Sequence, residues 1–256
     1  MIDMQGLTRR FGEKTAVDGV TLSIPAGQIV GYLGPNGAGK TTTIRMLTGM
    51  IRPTSGKALV CGYDVQDDPF EVKRRIGVVP ESGALYQSLT PHEYLSLVGR
   101  LYGMEESRMA RRISEFLDFF QIQDVAHKRM LEFSKGMKQK VIVSSALMHD
   151  PQVLFLDEPL NGLDVQAVLL LKELLRNLAG QGKTVFYSSH ILDVVENLCD
   201  RVVILSQGRI TADGSVGSIK RAAGENTLES AFNRLTQDVD PGKIVETFSK
   251  RLSEDA

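Results

Sequence analysis

The chain has 256 residues, 42% of them apolar and 24% charged, enough to bury a substantial core and unlike the composition of a disordered chain. With 30 Lys and Arg against 31 Asp and Glu the formal net charge is −1, which excludes a strong global pull toward DNA, RNA or an anionic membrane and leaves only a local basic patch open. The only two cysteines, Cys61 and Cys199, lack metal-ligand spacing and point to a reducing compartment, while neither a leader at Met1–Gln5 nor an apolar run of about eighteen residues predicts a membrane span.

From Met1 to Leu33 the pattern is short strands with turns between them. Val17, Val20, Leu22 and Ile24 alternate with Asp18, Thr21 and Ser23, and Pro25-Ala26-Gly27 turns the chain into an apolar run that ends at Leu33. This predicts an antiparallel layer. Phe11 falls in the polar stretch Thr8–Lys14, predicted as a loop, where its ring either stacks on a nucleotide base or closes the edge of the core.

Gly34-Pro35-Asn36-Gly37-Ala38-Gly39-Lys40-Thr41-Thr42 then matches G-x-x-x-x-G-K-[ST], between the strand-like run and a helical segment. The glycines let successive backbone N–H groups curl inward, the helix N-terminus adds its positive dipole end, and Lys40 supplies a cation. Together they form a cradle for nucleotide phosphates, with the Thr41 hydroxyl placed to hold magnesium.

Thr41–Gly49 reads as a helix, and Lys57–Cys61 and Ile76–Val79 as strands. Helical periodicity dominates next: Pro91–Tyr102 with Thr90 as cap, Glu105–Phe120, and Ser134–Met148. These make a helical insertion over about 83–150. Alternation of strand and helix returns with Val153–Leu156, Val165–Leu178, Thr184–Tyr187 and Val202–Leu205, which predicts an α/β fold with a parallel or mixed sheet flanked by helices. From Ser215 the chain reads as a helical tail with Leu228, Phe232 and Leu235 on one face, and the charged stretch Lys243–Ala256 is expected to fray.

Asp157 and Glu158 close the apolar run Val153–Leu156. Beside a phosphate loop, one acid there can position magnesium and the other can orient or deprotonate a water; alone, the pair is equally readable as two ordinary acids at a strand end. His190 follows the predicted central strand Thr184–Tyr187, at the edge where α/β sheets bind ligands.

Phe133-Ser134-Lys135-Gly136-Met137-Lys138-Gln139, with the phosphate loop before it and Asp157-Glu158-Pro159, Leu163-Asp164 and His190 after it, gives the chain its family likeness. The ordered set resembles the nucleotide-binding subunit of an ATP-binding cassette (ABC) transporter, over Met1–Asp213. The resemblance implies a P-loop NTPase core with an antiparallel β layer on the N-terminal side, an ATPase domain at 1–213 with its helical subdomain inserted, and a tail at 214–256. It makes Phe11 the adenine-stacking aromatic and Gly34–Thr42 the ATP phosphate loop. Ser134, Lys135, Gly136 and Met137 become the signature segment, Asp157 the magnesium-side acid, Glu158 the catalytic base, Asp164 a dimer-contact acid and His190 a γ-phosphate contact.

Departures are local. Phe133, Lys135 and Met137 replace Leu, Gly and Gln of the usual signature, Asn161 replaces a frequent Ser, and Glu81 stands where a magnesium-touching Gln is common. An ionised carboxylate accepts hydrogen bonds and cannot donate them, so Glu81 stands in the place of a magnesium contact without the donor that the glutamine brings to the relay.

Ser134 and the N–H groups of Lys135 and Gly136 open a helix and so form a second anion site. In the family that site serves the neighbouring subunit's ATP. The resemblance therefore implies ATP and Mg2+ as cofactors, a second nucleotide-binding subunit and an integral membrane permease as partners, a peripheral position on the cytoplasmic face of the membrane, and no nucleic-acid partner. The signature form, Glu81 and the tail Thr227–Leu235 resemble bacterial ABC-2 type exporters of drugs, lipids, polysaccharides or ions. Two other readings stand beside it: a soluble ABC ATPase acting on ribosomes or nucleic acid, whose second cassette, coiled-coil insertion or basic surface is not visible, and a small-molecule phosphotransferase, which has no use for a signature segment.

Overall fold

The computed structural model describes residues 1–82 and 85–236. The chain opens with a hairpin of β1 (Ile2–Phe11) and β2 (Lys14–Ile24), whose last pair is Phe11 with Lys14. Phe11 therefore ends a strand and does not lie in a loop. Thr8, Arg9 and Arg10 look like loop residues because they are polar, yet Arg9 and Arg10 pair with Val17 and Thr15 across the hairpin, and a two-residue turn at Gly12-Glu13, with Gly12 at φ 57°, closes it.

Next come β3 (Ile29–Leu33), α1 (Lys40–Leu47), β4 (Ser55–Val60), the two-residue β5 (Tyr63–Asp64), α2 (Pro69–Arg75) and β6 (Ile76–Val79). Three helices follow before the sheet resumes: α3 (Pro91–Leu101), α4 (Glu106–Phe119) and α5 (Lys135–Leu147). α3 starts where the sequence says it should, because Thr90 accepts from the Glu93 N–H and the Glu93 carboxylate accepts from the Thr90 N–H, a reciprocal cap. Then β7 (Val153–Asp157), α6 (Val165–Gly180), β8 (Thr184–Ser188), α7 (Leu192–Leu198), β9 (Arg201–Ser206), β10 (Arg209–Gly214), α8 (Val216–Ala223) and α9 (Leu228–Thr236) complete the described chain.

Among the described residues the strands form two sheets. β2-β1-β4-β5 is antiparallel and makes the N-terminal layer; β10-β9-β3-β8-β7-β6 is parallel except for β10, which runs against β9. The fold is thus the expected α/β P-loop core with a mixed sheet, an antiparallel layer and a helical insertion between β6 and β7.

The apolar runs are continuous because the central strands are buried on both faces. Val30 and Tyr32 of β3, Phe155 of β7, Phe186 of β8 and Val203 of β9 face the cluster shared with the N-terminal sheet, α1 and α2. Their neighbours Leu33, Leu154, Leu156, Val185, Tyr187, Val202 and Ile204 face the cluster built with the other helices. Each strand is a two-sided wedge, and only the residues just past its carboxyl end are free to meet a ligand. Tail residues join the second cluster: Leu228 and Ala231 are fully buried in it, with Phe232 and Leu235 packed against it. The charged stretch Lys243–Ala256 lies outside the described residues.

Candidate active site

β3 delivers the chain into the phosphate loop, and two glycines there have no substitute. A Cβ on Gly34 would lie 2.4 Å from the Leu205 carbonyl oxygen, and one on Gly39 would lie 2.4 Å from that of Ala16. Gly39 also adopts φ 111° as the N-cap of α1. Ala38 faces inward and is buried, its N–H on the Pro35 carbonyl, so it shapes the loop without lining the cleft. The Lys40 ammonium bends back to donate to the carbonyls of Gly34 at 2.6 Å and Pro35 at 3.1 Å. Burial lowers its pKa from the ordinary lysine value, while the carboxylates of Glu158, Asp157 and Glu81 pull it back up. Phosphate oxygens would offer the same protons charged acceptors, which make stronger bonds than carbonyls.

The next two strands of the parallel sheet add the acids and the histidine. Thr41 donates its hydroxyl to the Asp157 carboxylate at 2.8 Å. Glu158, one residue on, turns the opposite way: its backbone is left-handed at φ 51°, with its N–H on the Ser188 carbonyl at 2.9 Å. Its buried carboxylate accepts from Ser189 Oγ at 3.1 Å and from His190 Nδ1 at 2.7 Å. A carboxylate only accepts, so Nδ1 carries the ring proton in this pair and Nε2 is left to face outward. His190 itself is exposed.

Ser134 caps α5 by accepting the Met137 N–H at 3.2 Å. The first turn of α5 is fastened to the loop that follows Glu158. A Cβ on Gly136 would meet the Gly162 carbonyl at 2.3 Å, the buried Gln139 amide donates to the Pro159 carbonyl at 2.9 Å, and Lys140 pairs with Asp164 at 2.8 Å. Asp164 in turn caps α6 through the Ala167 N–H at 2.8 Å, and its bond with Lys140 holds its carboxyl below the usual range.

One cleft of about 640 Å3 gathers Phe11, Gly34, Pro35, Asn36, Gly37, Gly39, Lys40, Thr41, Thr42, Glu81, Asp157, Glu158 and His190. That size suits a nucleotide. Phe11 stands at its mouth half-exposed, with the Arg9 guanidinium 4.5 Å over its ring. Ser134, Lys135, Gly136, Met137 and Asp164 do not line this cleft. Sequence reasoning gave no site role to Ser189, Gln139, Lys140 or Phe232: Ser189 is marked only by its place beside His190, Gln139 only as the end of the segment that carries the family likeness, and Phe232 only as part of an apolar helix face.

The donors also fit a magnesium ion. Thr41 and Asp157 present a hydroxyl and a carboxylate to one another, hard oxygen ligands at the root of the phosphate loop. Among the described residues no group of three or more His, Cys, Asp or Glu could hold a metal alone. An ion here would take the rest of its shell from phosphate and water, as magnesium commonly does.

A parallel sheet whose strand ends carry a phosphate loop, a hydroxyl-paired acid and a buried acid held by a histidine defines a P-loop nucleotide hydrolase. Residues 17–161 match the sequence model of the ABC transporter family. ABC transporter ATP-binding protein NatA of Bacillus subtilis is 39% identical over 238 residues, covering 91% of this chain and 96% of that protein. A Nod factor export ATP-binding protein I of Burkholderia lata is 39% identical over 214 residues, covering 84% and 70%. Among solved structures, the ATP-binding subunit of an ABC transporter superimposes with a TM-score of 0.87 at 33% identity, over 92% of this chain and 99% of that one. The cassette MJ0796, solved as a dimer in a post-hydrolysis state with ADP and Pi, superimposes at 0.78 with 25% identity, over 84% and 98%. The chain belongs to the ABC transporter family. Within it, this is the ATP-binding, ATP-hydrolysing component, and no helix among the described residues is long and apolar enough to cross a membrane.

Proposed function

We propose that this chain works as one of a pair, two copies or one copy and a close relative, that closes on ATP and drives a separate integral membrane permease for export of a drug, lipid, polysaccharide or ion. The observation that carries this reading is the split placement of the groups. Gly34–Thr42, Asp157, Glu158 and His190 share one cleft, whereas Ser134 and Gly136 begin a helix whose anion-binding end lies apart from it. A second chain brings such an end to this chain's ATP. MJ0796 is a dimer with ADP and Pi, and this chain is read the same way.

In that pair Phe11 stacks on adenine and the loop N–H groups with Lys40 hold the phosphates. Ser134, Lys135, Gly136 and Met137 close over the partner's nucleotide, with Asp164 at the contact. Thr41 and Asp157, with Glu81 on the same cleft wall, would hold Mg2+, which supplies positive charge at the phosphate oxygens. Glu158 takes up the proton of the attacking water, and His190, kept on Glu158 through Nδ1, meets the terminal phosphate. Residues 1–213 form the ATPase domain, with 83–150 as its inserted helical subdomain and 214–256 as a tail. The Nod factor export relative supports outward transport, and the pair sits peripherally on the cytoplasmic face of the membrane.

Affinity purification of the chain from detergent-solubilised membranes tests the proposal. A polytopic membrane protein should be retained in stoichiometric amount. Recovery with ribosomes or DNA alone would refute it.

A further inference from the structure

The last helix among the described residues, α9, reaches the nucleotide cleft. α9 is held to the core by Leu228 and Ala231, both fully buried, and by the Ser206 hydroxyl, which donates to the Thr236 carbonyl at 3.4 Å. It packs on β9 and on α7. In the sheet β9 lies beside β3, and α7 connects β8 to β9, so α9 rests on elements that neighbour the strand from which the phosphate loop springs. The end of β9 also touches that loop, since Leu205 is the residue whose carbonyl leaves no room for a Cβ on Gly34.

From this position half-buried Phe232 lines the cleft together with Leu192, two residues past His190. Both side chains also pack against the same core cluster. Phe11, Ala16 and Pro35 are the other apolar members of the lining, on or before the phosphate loop, and the residues nearest Leu192 in sequence, Ser189 and His190, are polar. An apolar pair there cannot bond phosphate; what it can do is exclude water and fix the backbone that carries His190. The cleft stays open with α9 docked, so Phe232 does not block it.

We propose that Phe232 is a positioning residue: with Leu192 it holds His190 against Glu158 at the terminal-phosphate end, so that α9 takes part in telling ATP from ADP. This rests on the reading of His190 as the terminal-phosphate contact. Linkage makes the effect reciprocal: what docking of α9 adds to ATP affinity, ATP adds to docking of α9.

The test measures dissociation constants of the full chain for a non-hydrolysable ATP analogue and for ADP, in Phe232→Ala and Phe232→Leu. Phe232→Ala should weaken the ATP analogue about fivefold and ADP by less than about twofold, and Phe232→Leu, which keeps an apolar side chain, should recover most of the loss. Amide exchange over Leu228–Thr236 should slow with the ATP analogue and not with ADP. Equal weakening of both nucleotides, as from general loosening of α9, or no change in either, would overturn the proposal. If the unmutated chain itself binds the two alike, the His190 reading falls first and this inference with it.

Discussion

Two adjacent acids do different work because the backbone turns between them. β7 carries Asp157 to Thr41, and the next residue, Glu158, enters the left-handed region at φ 51°, which sends its carboxylate to Ser189 and His190 instead. That conformation is costly for a residue with a side chain, by roughly 1–3 kcal/mol, and persists because the surrounding hydrogen bonds over-determine it. Glu158→Gln keeps the shape and removes the carboxylate proposed as the base. ATP binding should survive while steady-state phosphate release falls about a hundredfold or more; near-normal turnover would rule out Glu158 as the base. That Lys40, Asp157 and Glu158 meet in one cleft was legible in the sequence because motif spacing and a strand end mark them. The positive φ at Glu158 left no mark, since outside glycine such a conformation is imposed by its neighbours.

Among the elements, α5 is tied at both ends. Its start is fastened to the loop after Glu158, and just past its end His149 stacks flat on Tyr102 at 3.6 Å while its Nε2 lies 2.9 Å from the Ile76 carbonyl. His149 thus joins the end of α3 to β6. Burial, the largest cause, together with Arg112 and Lys183, outweighs the Ile76 bond and Asp150 and lowers its pKa from 6.5 to about 4. The folded chain therefore keeps the ring neutral where the unfolded chain protonates it. The stability this contributes is complete above about pH 6.5 and is lost progressively as pH falls toward about 4. Thermal unfolding across that window should show the midpoint falling with acidity. In His149→Gln, whose amide can still donate to Ile76, the fall should be shallower; an unchanged slope would remove His149 as its source. Strand and helix alternation was legible here because each central strand is apolar on both faces. The Phe11 hairpin was not, because an exposed paired strand and a polar loop share a composition. Nor was the docking of α9, since an amphipathic face says that a helix packs and not against what.

For the whole molecule, the sequence carries one phosphate loop and one segment of signature form, which is why the chain reads as one member of a pair. Where the segment lies relative to the cleft was not legible, because that depends on how α5 seats against the loop after β7. Ser134→Arg removes the α5 cap, at a cost of about 1 kcal/mol, and places a long cation at the surface proposed to meet the partner's nucleotide. Light scattering after gel filtration should show loss of ATP-driven dimers in the Glu158→Gln background, with monomer affinity for ATP nearly intact. Loss of monomer binding would contradict action across the pair. The phosphate loop, by contrast, is complete within one chain. Because Lys40 already bridges the carbonyls of Gly34 and Pro35, the conformational entropy of that loop, roughly 1–2 kcal/mol per residue, is lost during folding. An arriving phosphate exchanges one set of hydrogen bonds for a stronger one and has no disordered segment to organise, so the loop does not draw on the affinity it confers.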